Sequence, residues 1–121
     1  MELLVEKNLN VNDITIYLNL FQLHKSFLLL ISDQNKMGIG TVTLGSPPMI
    51  SGVKPPTTSF NLFGVDSNLL STIIAERASH TLKAPVLLLL FLRNKKKNEE
   101  IVKPLIIFLD QVLKEIIEKL K

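Results

Sequence analysis

The chain has 121 residues, 46% of them hydrophobic, with 23 leucines, no cysteine and no tryptophan. That length fits one domain, residues 1–121, with a core of its own, and the missing cysteines exclude a disulfide scaffold, a thiolate metal site and a cysteine nucleophile. The formal charge is +3, but four of the 14 basic residues (Arg93, Lys95, Lys96 and Lys97) fall in one pentapeptide, which leaves 10 against 11 acidic residues elsewhere. A nucleic-acid binder usually spreads its basic residues along a face or helix, so nucleic acid is not the expected partner.

Hydropathy also sets limits. The longest apolar run, residues 86–92, is far short of the ~20 residues that a spanning helix needs. Glu2 and Glu6 stand where a signal peptide would carry basic residues. No membrane partner is expected, and the expected compartment is the cytoplasm, with the nucleus as a further possibility.

Residues 13–21 alternate, with Ile14, Ile16, Leu18 and Leu20 on one side and Thr15, Tyr17 and Asn19 on the other, which predicts a strand with one buried face. Residues 25–32 form a second strand, apolar on both faces in its middle, after a short hairpin turn at Leu23 and His24. Residues 33–36 are a polar turn, and 37–44 a third strand in which Gly38 and Gly40 suggest a bulge or a close backbone approach. Pro47, Pro48, Pro55 and Pro56 make residues 45–56 a loop. A strand returns over 57–63. Asp66 or Ser67 then caps a helix running to about Leu82, with Leu70, Ile73, Ile74, Ala78 and Thr81 at helical spacing. Pro85 stops it, and 86–93 is a further strand.

The strongest periodicity comes last. Leu105, Leu109, Val112, Leu113, Ile116, Ile117 and Leu120 repeat at helical spacing opposite Lys114, Glu115, Glu118 and Lys119. Proline fits a first helical turn, so Pro104 places the start of this helix near Lys103, with 99–102 as a lead-in.

Strands, loop, strand, helix, strand, helix is an α+β order: a mostly antiparallel five- to six-stranded sheet with two amphipathic helices. Two helices can cover one side of such a sheet. Residues 28–31 and 86–92 are nevertheless apolar at both parities, and strands of that kind need cover on both sides. Either the helices take opposite faces, or a dimer or another protein buries the second face. The count of apolar residues favours the dimer. Leu89 and Leu109 both read as core positions.

No constellation of catalytic residues emerges. His24 and His80 have no histidine or carboxylate at ligand spacing. None of the serines sits in a G-x-S-x-G or S-x-x-K pattern. Gly38-Ile39-Gly40 lacks the third glycine of a dinucleotide fingerprint and lies within a strand. No enzyme activity, cofactor or metal is expected. The candidate contact positions are in loops, namely Lys54 in the proline-rich loop and Arg93, Lys95, Lys96 and Lys97 in the basic one.

Several phrases together carry a resemblance. Asn35-Lys36-Met37-Gly38 leads into a strand ending Val42-Thr43-Leu44, and Val53-Lys54-Pro55 follows in a loop. Leu62-Phe63-Gly64-Val65-Asp66 then precedes a helix, and an aliphatic strand precedes an amphipathic C-terminal helix. In this order the chain resembles the proteasome-assembly chaperone family, specifically its third assembly chaperone, over residues 14–116. The resemblance implies a non-enzymatic chaperone that dimerises with itself or with the fourth assembly chaperone. It implies binding to a proteasome α-type subunit and promotion of ordered α-ring assembly in the 20S core particle. The alternative reading of the residues is a general dimeric α+β adaptor or scaffold.

Overall fold

The computed structural model describes residues 1–11, 13–47, 58–61, 68–93 and 98–120. Its strands are β1 (Glu2–Val11), β2 (Ile14–Leu23), β3 (Ser26–Ser32), β4 (Thr41–Gly45), β5 (Thr58–Asn61) and β6 (Val86–Phe91). Its helices are α1 (Asn68–Leu82) and α2 (Asn98–Leu120). The strands form one six-stranded sheet in the order β1-β2-β3-β6-β4-β5. Every pairing is antiparallel except β3 with β6, the central pair, which is parallel. The α+β expectation therefore holds.

The alternation in β2 does what its period requires. Ile14, Ile16, Leu18 and Leu20 are buried, and the residues between them are only partly so. The same alternation continues through β3 (Phe27, Leu29, Ile31) and β6 (Val86, Leu88, Leu90). These side chains share one face of the sheet, and both helices lie on it. Helix α1 packs on β4, β5 and β6, α2 reaches β1, and the helices touch each other. Ile74, Ala75 and Ala78 from α1 and Leu105, Leu109, Val112, Leu113 and Ile116 from α2 close the core against the sheet. The alternative in which the helices take opposite faces is thereby excluded.

Three departures from the sequence reading have physical reasons. Strand β1 was not anticipated. Its register shifts between Leu3 and Val5, so a bulge breaks the apolar alternation, and Lys7 then occupies a core-facing register position. Lys7 keeps its charge paired by bonding Glu115 on α2. Strand β4 begins at Thr41, not Met37. A Cβ on Gly38 would stand 2.9 Å from the Phe91 ring, so a glycine lets the backbone pass that ring closely. Helix α2 begins at Asn98, with Pro104 inside it rather than in the first turn. Proline there removes a hydrogen bond to the carbonyl four residues back. Ile101 is 1% exposed, and its burial holds the first turns on the core regardless. The proposed caps Asp66 and Ser67 and most of the 45–56 loop lie outside the described residues.

The end of α1 is well defined. Lys83 takes a left-handed conformation (φ 55°), and the Ala84 N–H donates to the Ser79 carbonyl at 3.3 Å. That is the 6→1 bond of a Schellman stop, with Pro85 directly after it. The Pro85 carbonyl then accepts from the Phe27 N–H at 3.0 Å, which sets β6 beside β3. On β4, Gly45 is required by packing. A Cβ there would lie 2.5 Å from the Ala75 carbonyl oxygen of α1, so only glycine allows the helix to sit this close.

Two substitutions two residues apart on α2 test the core assignment. Leu109 is fully buried and Ile107 is 51% exposed. Leu109→Ala is expected to lower unfolding stability by ~2–5 kcal/mol, and Ile107→Ala by no more than ~0.5 kcal/mol, both read from urea denaturation midpoints.

Candidate functional site: the open face of the sheet

The face away from the helices carries the other parity of every strand. Its side chains fall into rows that cross the sheet. Leu3, Phe21, Leu28, Leu87 and Leu44 are successive partners across five strands. The next row is Glu6, Asn19, Leu30, Leu89 and Val42, and the third runs Asn8, Tyr17, Ser32 and Phe91. All the apolar members are partly or well exposed, with Leu3 at 46% and Leu44 at 47%. Among the described residues, no helix covers this side.

Chemistry divides the face in two. On β3, β6 and β4 the rows contain Leu28, Leu30, Leu87, Leu89, Phe91, Val42 and Leu44, with Ser32 as the one polar member and no charge. On β1 and β2 they contain Leu3 and Phe21 in the first row and otherwise Glu6, Asn8, Asn10, Thr15, Tyr17 and Asn19. A shallow polar depression of about 310 Å³ lies on that second half, lined by Glu6, Lys7, Asn8, Tyr17, Asn19, Asn35 and Met37. The Lys7 ammonium is drawn to Glu115 on the helix side, so Glu6 supplies the charge on this face. Amides, a phenol and one carboxylate can bind polar groups, but they do not assemble a nucleophile with a base.

One end of the apolar half is fastened. Both carboxylate oxygens of Asp33 accept from the Arg93 backbone N–H at 3.0 Å, and the Asp33 N–H donates to the Phe91 carbonyl at 3.2 Å. The Arg93 guanidinium sits over the Phe91 ring, 5.7 Å from its centre. Arg93 is exposed where the chain leaves β6, so it sits at the edge of the open face. Lys95, Lys96, Lys97 and Lys54 lie outside the described residues. His24 and His80 are both exposed. No group of three or more His, Asp or Glu placed to hold a metal occurs among the described residues, and no helix there is long and apolar enough to cross a membrane.

The loop-based candidates missed the leucine rows. The signal for them was present in the sequence, because residues 28–31 and 86–92 are apolar at both parities. What the pattern did not reveal was which parity the helices leave open. Leu89 is the clearest case. It stands in the middle of a central strand yet faces away from the core, so its reading as a core position is corrected.

Among the described residues, the sheet carries helices on one face and uncharged aliphatic rows on part of the other, and exposed apolar rows of this kind are a feature of interaction surfaces. Comparison with solved structures finds a likeness of fold. The whole chain aligns with the whole of a chain in a structure described as a novel chaperone complex for yeast 20S proteasome assembly, with a TM-score of 0.66 and 11% sequence identity. That likeness shows a shared fold. No protein-family model matches the sequence, and no curated protein is similar to it.

Adjacent residues of β6 test the assignment of faces. Leu88 is fully buried, so Leu88→Asp strands an unpaired charge in the core and is expected to unfold the chain. Leu89→Asp is expected to keep a native far-UV circular dichroism spectrum and a cooperative thermal transition. If both variants unfold, the open face is closed by something other than a separable partner.

Proposed function

We propose that this protein is a non-enzymatic chaperone of 20S proteasome assembly. In this reading it binds a proteasome α-type subunit and promotes ordered assembly of the α-ring. It acts as a dimer, with a second copy or with a companion chaperone of the fourth-assembly-chaperone kind covering the leucine rows. The observation that carries the reading is the uncharged apolar face on a fold that matches, end to end, a chain of a proteasome-assembly chaperone complex. The resemblance of residues 14–116 to the third assembly chaperone supports the finer assignment. The expected compartments are the cytoplasm and the nucleus.

The physical task is simple. A subunit on its way into a ring exposes surfaces that can pair with the wrong neighbour. A rigid partner that covers one such surface removes those wrong pairings from the competition. Release requires only that the next assembly step offers better or overlapping contacts, so no nucleotide is needed. Arg93, Lys95, Lys96, Lys97 and Lys54 are proposed as contacts to the client, since clustered charge is suited to steered, reversible recognition.

A tagged full-length chain, recovered from native extract of its source cells, tests this reading. The expected catch is α-type proteasome subunits without mature proteasome. Replacing Lys95, Lys96 and Lys97 with Glu is expected to lower that recovery several-fold while leaving the protein folded, and raised salt is expected to act in the same direction. Good expression with no α-type subunit recovered would refute the chaperone reading and leave a general adaptor on this fold.

A further inference from the structure

We propose that the polar depression on the β1–β2 half of the open face is a pocket for an arginine side chain of a different protein, one that lies on the leucine rows. Glu6 takes the charge of that arginine and Tyr17 its flat face. The proposal rests on the reading that a partner covers those rows, and goes further by assigning a pocket and the chemistry of the group that enters it.

Four of the lining residues come from one square of the sheet. Glu6 stands opposite Asn19 and Asn8 opposite Tyr17, in adjacent rows of β1 and β2. Directly opposed side chains start ~4.5–5.5 Å apart at Cβ, and successive rows on one face are ~6.8 Å apart. The wall beside the square is the segment after β3, which brings Asn35 and Met37 to the depression. That wall is held at both ends. Asp33, at its start, bonds the Phe91 carbonyl and the Arg93 N–H. Gly38, at its end, lies against the Phe91 ring, where a Cβ would be 2.9 Å from the ring carbons. The depression is therefore built before anything enters it, which lowers the ordering cost of binding. Asn19 is opposite Leu30 on β3, so a protein seated on the leucine rows reaches the pocket without a gap.

Its chemistry is that of a cation site. Glu6 carries the charge, since the Lys7 ammonium bonds Glu115 on the helix side. Among the described residues, the side chains of Glu6, Asn8, Tyr17, Asn19 and Asn35 enter none of the hydrogen bonds or ion pairs of the fold, so their oxygens are available. A guanidinium presents five N–H donors in one plane and stacks on aromatic faces. The pocket offers it two carboxylate oxygens, three amide oxygens and the Tyr17 ring. A lysine ammonium, a compact point charge, would use fewer of these groups. The open face already holds one such contact, with the Arg93 guanidinium 5.7 Å from the centre of the Phe91 ring. The chain has two arginines. Arg93 lies over its own Phe91 and Arg77 bonds Asp110 between the helices, so the entering arginine comes from a different protein. A depression that is shallow and about 310 Å³ seats one side chain, whereas a free small ligand is normally enclosed over most of its surface.

Amide NMR of the full chain, titrated with N-acetyl-arginine amide, tests the pocket. The expected result is saturable shifts at Glu6, Asn8, Tyr17 and Asn19 and in the asparagine side-chain amides, with a Kd in the millimolar range that suits a few exposed polar contacts. The neutral isostere N-acetyl-citrulline amide is expected to bind roughly tenfold more weakly. Glu6→Gln should weaken the arginine amide roughly fivefold. Tyr17→Leu should weaken it and Tyr17→Phe should not, because the ring supplies the stacking face. Leu89→Asp, which breaks the leucine rows, should leave the titration unchanged. Absence of saturable shifts, or equal binding of the arginine and citrulline amides, overturns the pocket. Free arginine that binds roughly tenfold tighter than the blocked amide overturns a protein source. Shifts that appear only in Arg93→Gln show that this chain's own Arg93 fills the pocket and overturn a different protein as its source. The titration uses the chain alone and recovery of α-type subunits uses the extract, so the pocket and the chaperone reading can each fail while the other stands.

Discussion

The structure turns on a mismatch between its layers. Its two central strands, β3 and β6, form a parallel pair and are apolar on both faces, a pattern found where strands are covered on both sides. The helices supply one layer. On their side Leu29, Leu88 and Leu90 are almost completely buried, and the core closes without charge. On the other side Leu28, Leu30, Leu87 and Leu89 are only partly buried. The same four- to six-residue runs that make the sheet interior secure also create an apolar surface that the two helices do not cover. No choice of helix position relieves both faces, because α1 and α2 pack against each other as well as against the sheet.

Much of this was legible before any coordinates, and the parts that were not share a cause. Strand β2, the α1 span ending near Leu82, β6 after Pro85 and the buried stripe of α2 follow from period and from proline. Each is a local signal. Strand β1 was hidden because its bulge moves the alternation by one residue at Leu3–Val5, and because a lysine at a core-facing position reads as polar until its partner on α2 is known. The start of α2 was hidden because the burial of Ile101, a tertiary fact, outweighs the local cost of Pro104. The buried stripe of α1 also includes two serines, Ser71 and Ser79, which its apolar spacing does not mark.

The site was legible in quantity but not in position. Counting apolar residues showed a surplus over what two helices can hide, and that surplus is the open face. Position needed the register. Only the pairing registers of β2, β3, β6 and β4 place Phe21, Leu28, Leu87 and Leu44 in one row and Leu30, Leu89 and Val42 in another. Sequence attention went instead to charged loops, because charge clusters stand out along a chain while rows across a sheet do not.

The two surfaces differ in the kind of bond they can make, and that difference bears on release. Apolar rows without charge attract through surface removed from water, which salt does not screen. A basic segment next to Arg93 attracts through charge, which salt screens within ~8–10 Å. Asp33 fixes the Arg93 backbone to the end of β3, so that segment starts from a defined place at the rim of the open face and not from within it. On the proposed reading, the chaperone's own pairing and its hold on a client therefore rest on different physics at adjacent but distinct places. A competing assembly contact can displace the client's charged contacts one by one while the leucine rows stay covered. A chaperone that used the apolar face for its client would have to expose those rows at every release, when an unpaired apolar patch on an assembly intermediate is most open to wrong pairing.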